Sequence, residues 1–267
     1  MVLNQPVITP PDQREKGERA LSSITVSRKS YDTELVIFDK DGTLLDFEKT
    51  WIGIIEELIT SLGAYTPLTP ALKQRVQDAL GVSVEDSWVD GNGLLAMGTF
   101  AECTALLTYC LYREGIRWDR AHHIVEEAGA AVFGPESRKR HVQAAQGALD
   151  LLRTLKSRNI SIAVATNDKR ADALVDMELI GALAYIDLVL GADSVDNSKP
   201  APDMIEKICS SMGKEPGRSI LIGDTVMDAL LGRNAGVMLT IGVAGIVPAE
   251  ELARHVDVVV SSLRDIT

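Results

Sequence analysis

At 267 residues, with 46% hydrophobic and 24% charged positions, the chain has the composition of a globular protein with a sizeable core. Its formal net charge of −11 disfavours nucleic acid or an anionic membrane as the main partner, and an anionic substrate would need a locally placed cation. No apolar run approaches the roughly eighteen residues of a bilayer span, no signal-peptide layout opens the chain, and Asp12, Glu15 and Glu18 argue against a transit segment, so the cytoplasm is expected.

Residues 1–33 carry Pro6, Pro10 and Pro11 and no clear period, and read as a tail or arm in which Ala20 to Val26 could form a short element. Leu35-Val36-Ile37-Phe38 is an unbroken apolar run, the mark of a strand buried on both faces, and it ends in Asp39-Lys40-Asp41-Gly42-Thr43. The period then becomes helical. Trp51, Ile54, Ile55, Leu58, Ile59 and Leu62 share a face up to Gly63, and Leu72, Val76, Leu80 and Val82 suggest a weaker helix after Thr69-Pro70. A glycine-rich break at Asp90-Gly91-Asn92-Gly93 precedes two more helices, one through Phe100 to Leu111 and one through Ile124 to Val132. From 48 to 142 no strand is expected. Cys103 and Cys110 would lie about 10.5 Å apart on one helix, beyond disulfide reach, and with Cys209 they read as reduced core residues. His122 and His123 are adjacent on a helix and cannot face one metal.

Beyond 142, helices alternate with strands at 160–165, 186–190, 219–222, 237–241 and 256–260. That rhythm predicts an α/β fold with a doubly wound parallel sheet. Ligands of such sheets sit beyond the carboxyl ends of the strands. Four strand ends or following loops are polar there: Asp39/Asp41, then Thr166-Asn167-Asp168, then Lys199-Pro200, then Asp224-Thr225-Val226-Met227-Asp228. Taken singly, each has an ordinary explanation: an Asx/Gly turn, a helix N-cap, a surface turn, or acids favoured by a helix dipole. Together they place carboxylates, a hydroxyl–amide pair and a lysine at one rim.

The four strings DKDGT, TN, KPxPD and GDTxxD, in this order at strand ends, resemble the haloacid dehalogenase (HAD) superfamily, most closely its phosphoglycolate phosphatase-like members with a helical type 1 cap. The resemblance implies a Rossmann-like core formed by 34–47 and 143–267, with 48–142 as an inserted all-helical cap. It implies a Mg²⁺-dependent phosphatase acting on a small phosphorylated metabolite. Asp39 would be the nucleophile that becomes an aspartyl phosphate, and Asp41 the acid and then the base, its pKa held apart from that of a metal-lowered Asp39. Lys199 would add positive charge at the nucleophile. Gly42 (through its amide), Thr166, Asn167 and Lys199 would contact phosphate. Asp39, Asp224 and the Asp41 carbonyl would hold Mg²⁺. Thr43 and Asp228 would support the site, Asp228 by orienting Lys199 or a water on the metal. An Asp at position 41 points to a leaving oxygen that needs a proton, hence a phosphatase rather than a dehalogenase. Within the cap, Asp90 to Gly98, with Gly91, Gly93 and Met97, is a candidate specificity loop, and Arg113, Arg117, Arg138, Lys139 and Arg140 are candidates for a distal anion. The segment 141–147 departs from the Pro-Gly hinge of the phosphoglycolate phosphatase branch. A sugar-phosphate mutase and a non-catalytic binding protein on this fold are the alternatives; a monomer and a homodimer both stay open.

Overall fold

The computed structural model describes residues 22–267, with strands β1 Ser22–Val26, β2 Lys29–Thr33, β3 Leu35–Phe38, β4 Val82–Ser83, β5 Trp88–Val89, β6 Ser161–Ala165, β7 Leu188–Leu190, β8 Ser219–Gly223, β9 Leu239–Val243 and β10 Val258–Val260. The helices are α1 Phe47–Leu62, α2 Pro70–Leu80, α3 Leu94–Met97, α4 Phe100–Arg113, α5 Trp118–Val132, α6 Pro135–His141, α7 Ala148–Ser157, α8 Arg170–Leu179, α9 Asp203–Met212, α10 Val226–Ala235 and α11 Ala249–Leu252.

Six strands form one sheet in the order β10-β9-β8-β3-β6-β7, and every pairing in it is parallel. The expected α/β doubly wound architecture holds. The chain grows from β3 outward through β6 and β7, then crosses to β8 and grows the other way. A crevice opens where that order reverses, at the carboxyl ends of β3 and β8. Period-two alternation explains the unbroken apolar run: Val36 and Phe38 join one buried cluster with α7, whereas Leu35 and Ile37 join another with Met204, Ile205 and Ile208 of α9. Neither face of β3 sees water.

A third cluster is separate from the sheet. It collects Trp51, Ile55 and Leu58 of α1, Leu72 and Val76 of α2, Leu107 and Leu111 of α4, and Ile124 and Ala128 of α5. The local signals behind these helices are ordinary. Thr69 caps α2 with Pro70 as its first residue, Gly81 closes it at φ 75°, and Thr99 and Glu102 form a capping box on α4. The block is not all-helical as expected, because β4 and β5 make a two-residue antiparallel pair, and Val82 belongs to that pair rather than to α2. The chain leaves and re-enters the sheet side by side: the Asp46 amide donates to the Gln143 carbonyl and the Ala145 amide to the Leu44 carbonyl, both at 2.9 Å. The segment without a Pro-Gly hinge is therefore held by backbone bonds to its neighbour.

Of the expected N-terminal arm, residues 1–21 lie outside the described residues. Residues 22–33 are a β-hairpin rather than an irregular tail, with Ile24 and Val26 buried in the sheet's own core. Thr25 and Thr267 exchange backbone hydrogen bonds, so this hairpin ties the C-terminus down. Cys103, Cys110 and Cys209 are free thiols, as expected. No helix among the described residues is long and apolar enough to cross a membrane.

Candidate active site

The β3 loop folds back on itself at once. The Asp39 amide still belongs to the sheet and donates to the Ile222 carbonyl at 2.8 Å, and the Leu44 and Leu45 amides then both donate to the Lys40 carbonyl. Gly42 sits at φ 79°, and a Cβ there would lie 2.0 Å from Asp224 Oδ2, so backbone angle and space both demand glycine. Its amide is not turned toward a phosphate, as the sequence suggested: it donates to the Leu45 carbonyl at 2.9 Å, closing the tight turn. Thr43 Oγ1 donates to Asp224 Oδ1 at 3.1 Å, so the loop of β3 holds the carboxylate that ends β8.

Lys199 is buried, and its Nζ donates to Asp39 Oδ1 at 2.5 Å and Asp228 Oδ1 at 2.7 Å. The other Asp228 oxygen is also used: it accepts from the Thr225 amide (3.1 Å) and the Thr225 hydroxyl (2.6 Å) in the capping box that opens α10. Asp228 thus orients Lys199 with one oxygen and closes the capping box with the other. Gly223, the first residue of the GDTxxD string, is required by this packing, since a Cβ there would lie 2.4 Å from the Asp228 side chain.

Asp41 has partners of its own. Its Oδ1 accepts from the Trp51 indole nitrogen at 2.7 Å and its Oδ2 lies 2.7 Å from Lys40 Nζ. Lys40 was given no role from sequence, yet it is fully buried. Its ammonium also donates to Asp176 at 2.9 Å and touches Asp168 Oδ2 at 3.0 Å, the latter an ion contact not aligned as a hydrogen bond. Asp176 in turn takes both Arg138 contacts at 2.6 and 2.7 Å, so a guanidinium of α6 joins the rim network.

Thr166 is buried with its Oγ1 accepting the Asp168 amide at 3.2 Å, which leaves its hydroxyl proton available. One expectation about its surroundings changes. Helix α8 begins at Arg170 with Lys169 as N-cap, so Thr166-Asn167 lie in a loop rather than at a helix start. The Asn167 side-chain amide donates to the Met97 carbonyl (3.3 Å), which leaves its second N–H for a phosphate oxygen, and its Oδ1 is buried without a partner among the described residues. That contact brings the end of the Asp90–Gly98 loop to the rim, with Gly91 packed against the Ile246 carbonyl and Asn92 donating to Glu251.

Charge at this rim does not cancel. Asp39, Asp41, Asp168, Asp176, Asp224 and Asp228 face Lys40, Arg138 and Lys199, six acids against three bases. Burial pushes the Asp39 carboxyl up to about 7; Lys199 pulls it down, and Asp228 and Asp41 push it further up. Burial likewise raises Asp41, against the pull of Lys40. Protein groups alone therefore raise both carboxyls rather than driving them apart. Asp224 is raised well above the carboxylate range by burial and then by Asp39 and Asp228. Lys199 stays charged because Asp228 and Asp39 outweigh its burial.

One buried atom marks where a cation fits. Asp224 is fully buried, and its Oδ2 has no hydrogen-bond partner among the described residues. Oxygens of Asp39, Asp224 and Asp228 lie within 4.8 Å of one another, and Lys199 serves only two of the three. A hard divalent cation with oxygen ligands fits this donor set, at Asp39 and Asp224, with Asp228 already committed to Lys199.

A family model for haloacid dehalogenase-like hydrolases matches residues 33–236. The chain belongs to that family. It is a hydrolase, and the resemblance read from the four strings holds. A probable phosphatase, IndB, of Dickeya dadantii is 31% identical over 239 residues, covering 87% of this chain and 91% of that relative. A phosphoglycolate phosphatase of Aquifex aeolicus is 29% identical, over 80% and 86% of the two chains. Among solved structures, one described as a predicted phosphoglycolate phosphatase from Haemophilus somnus superposes with a TM-score of 0.64 at 17% identity, covering 87% of this chain and 96% of its own, a likeness of fold.

Proposed function

We propose that this hydrolase is a Mg²⁺-dependent phosphatase that cleaves the phosphate monoester of a small metabolite through an aspartyl phosphate on Asp39. The observation that carries the reading is the buried set in which Lys199 bridges Asp39 and Asp228 beside an Asp224 oxygen that none of the described residues satisfies. The family and the phosphatase names of its relatives support the same reaction class.

A carboxylate oxygen of Asp39 attacks phosphorus, and the bond to the leaving oxygen breaks with its electron pair staying on that oxygen, which takes a proton from Asp41. The Asp41 carboxylate then accepts a proton from water as the water oxygen attacks phosphorus, and the bond to Asp39 breaks to free inorganic phosphate. Lys199 holds Asp39 in place and sets positive charge beside the transferring group. The Thr166 hydroxyl is free to donate to a phosphate oxygen. Trp51 and Lys40 fix where the Asp41 carboxyl waits. Asp39, Asp224 and the Asp41 carbonyl would hold Mg²⁺, which supplies the charge that lets a carboxylate and a phosphate dianion approach each other. In this reading 48–142 is a cap over the core of 34–47 and 143–267, and it excludes water while phosphate is transferred.

The test is sustained phosphate release from a panel of monoesters with Mg²⁺, repeated with EDTA and with Asp39→Asn. Both controls should lower turnover by about a thousandfold or more. Undiminished turnover by Asp39→Asn would overturn the covalent route, and transfer of phosphate between sugar positions without net release would indicate a mutase instead.

A further inference from the structure

A cavity of about 750 Å³ opens from Asp39, Asp41 and Lys199 and runs into the helical block as far as Leu58 and Leu80. That volume suits an organic group of metabolite or drug size and far exceeds what a two-carbon acid needs. Its walls are aromatic. The chain holds four Phe and three Trp, and all of them except Phe38 and Trp88 line this one space. Trp51 lies 6.3 Å from Phe133, and Phe133 meets Phe100 edge-on at 5.1 Å, so three rings form a continuous surface facing the rim. Packing of the helical bundle does not account for all of them, because Phe100 is 37% exposed and Trp118 51% exposed.

The charged residues on these walls are mostly acidic: Glu126 of the helical block and Asp168 and Asp172 of the core line the cavity too. No lysine or arginine of residues 48–142 lines the cavity; its lysines are Lys199, at the rim, and Lys169, whose ammonium sits 5.2 Å over the Phe100 ring. The cations expected to neutralise a distal anion are engaged elsewhere. Arg113 donates to Tyr109, Arg117 to Asp119, Arg138 to Asp176, Lys139 to Glu136 and Arg140 to Glu57. A second carboxylate on the substrate would find Lys169 as its one lining cation besides Lys199, set against Glu126, Asp168 and Asp172 and a rim that already carries excess negative charge.

From these two observations we infer that the substrate is a phosphate monoester whose leaving group is bulky, not anionic, and aromatic or otherwise largely apolar. The inference rests on the phosphatase reading for the reaction and on the cavity alone for the selectivity. Phosphate stays at the rim with Lys199 and Thr166, and the leaving group extends between Trp51, Phe100 and Phe133, where apolar burial adds to binding.

Ethyl phosphate, 2-phenylethyl phosphate and phosphoglycolate differ in bulk and charge beyond an alkyl C–O–P linkage, and kcat/KM on each reads the preference. The expected order puts 2-phenylethyl phosphate about a hundredfold above ethyl phosphate, with phosphoglycolate below both. A preference for the phenylethyl ester under about tenfold, or phosphoglycolate as the best of the three, would overturn the inference. In Cys103→Trp, which places an indole in the cavity, the ratio of the phenylethyl to the ethyl rate constant should fall at least about tenfold. Calorimetric binding of 2-phenylethylphosphonate and ethylphosphonate to the Mg²⁺-loaded wild-type protein reads the cavity without turnover and without a variant. Tighter binding of the aryl phosphonate by about tenfold or more supports the cavity assignment even if no ester is hydrolysed, in which case the phosphatase reading alone fails; equal binding overturns the assignment.

Discussion

The rim of the sheet and the cavity above it are made of opposite materials. At the rim, Asp39, Lys40, Lys199, Asp224 and Asp228 are all buried, and they are held by one another and by backbone turns. In the cavity the contacts are ring against ring, and helical cations point elsewhere. The difference separates two tasks. Positions at the rim are dictated by strand ends and tight turns, which leaves almost no freedom in which residue occupies them. Cavity walls are side chains on helices that need only keep their volume and their apolar contact, so this surface can be retuned without touching the chemistry.

If that division is right, the smallest addition at the rim should do more damage than a large one in the cavity. Gly42→Ala adds one methyl, but at φ 79° and 2.0 Å from Asp224 Oδ2. Either the loop or Asp224 must shift by about an ångström, and displacements of that size lower kcat by about a hundredfold. Turnover and Mg²⁺ affinity should fall together, measured on whichever monoester the wild type cleaves best. Near-wild-type turnover would mean that the Asp224 position is not held by this loop.

The rim and the cavity were also unequally legible in the sequence. Asp39 and Asp224 could be read because burial of both sheet faces makes an apolar run, and the first polar residue after such a run marks a strand end. Lys40 could not, since a lysine between two aspartates has the pattern of a solvated turn; only the fold brings Asp168 and Asp176 to it. The contact of Asn167 with the Met97 carbonyl could not be read, because that partner lies 70 residues away in the chain. Trp51 and Phe100 were visible as the apolar stripe of helices, but periodicity does not distinguish a ring packed in a bundle from one that also faces a cavity. The cationic residues of the helical block misled for a local reason: Arg117 and Lys139 each sit two or three residues from an acid on their own segment, and those partners hold them.

The second prediction concerns the place where the two regions join. Lys40 binds Asp41, Asp168 and Asp176, and through Asp176 it meets Arg138 of α6. Lys40→Met keeps most of the side-chain volume and removes the charge, leaving buried carboxylates with Arg138 as their remaining strong cation. Removing one partner of a buried ion network destabilises by about 3–5 kcal/mol. Urea unfolding should read a loss of that order. A change below about 1 kcal/mol would show that these carboxylates take up protons at little cost and that the network does not hold α6 to the sheet.

The smallest effect lies wholly within the helical block and depends on pH. Glu57 of α1 accepts from Ser137 at 2.6 Å, from Arg140 at 2.8 Å and from His141 at 2.9 Å, stapling α1 to α6 beside the returning hinge segment. Hydrogen bonds from Ser137 and then His141 lower its carboxyl from the ordinary 4.5 to about 2. A group whose folded pKa is depressed contributes stability in full above its unfolded pKa and loses it as pH falls through the folded value. The contribution of Glu57 should therefore be complete near neutrality and disappear between about pH 4.5 and about pH 2. With 30% of the side chain exposed, solvent screening limits it to about 1 kcal/mol. Glu57→Gln should thus be less stable than wild type at pH 7 by about that amount, and the gap should narrow from about pH 5 to about pH 3 in urea unfolding. A gap independent of pH over that range would assign the staple to shape and hydrogen bonding rather than to charge. The hinge contacts of this block would then owe nothing to ionisation, unlike those of the rim.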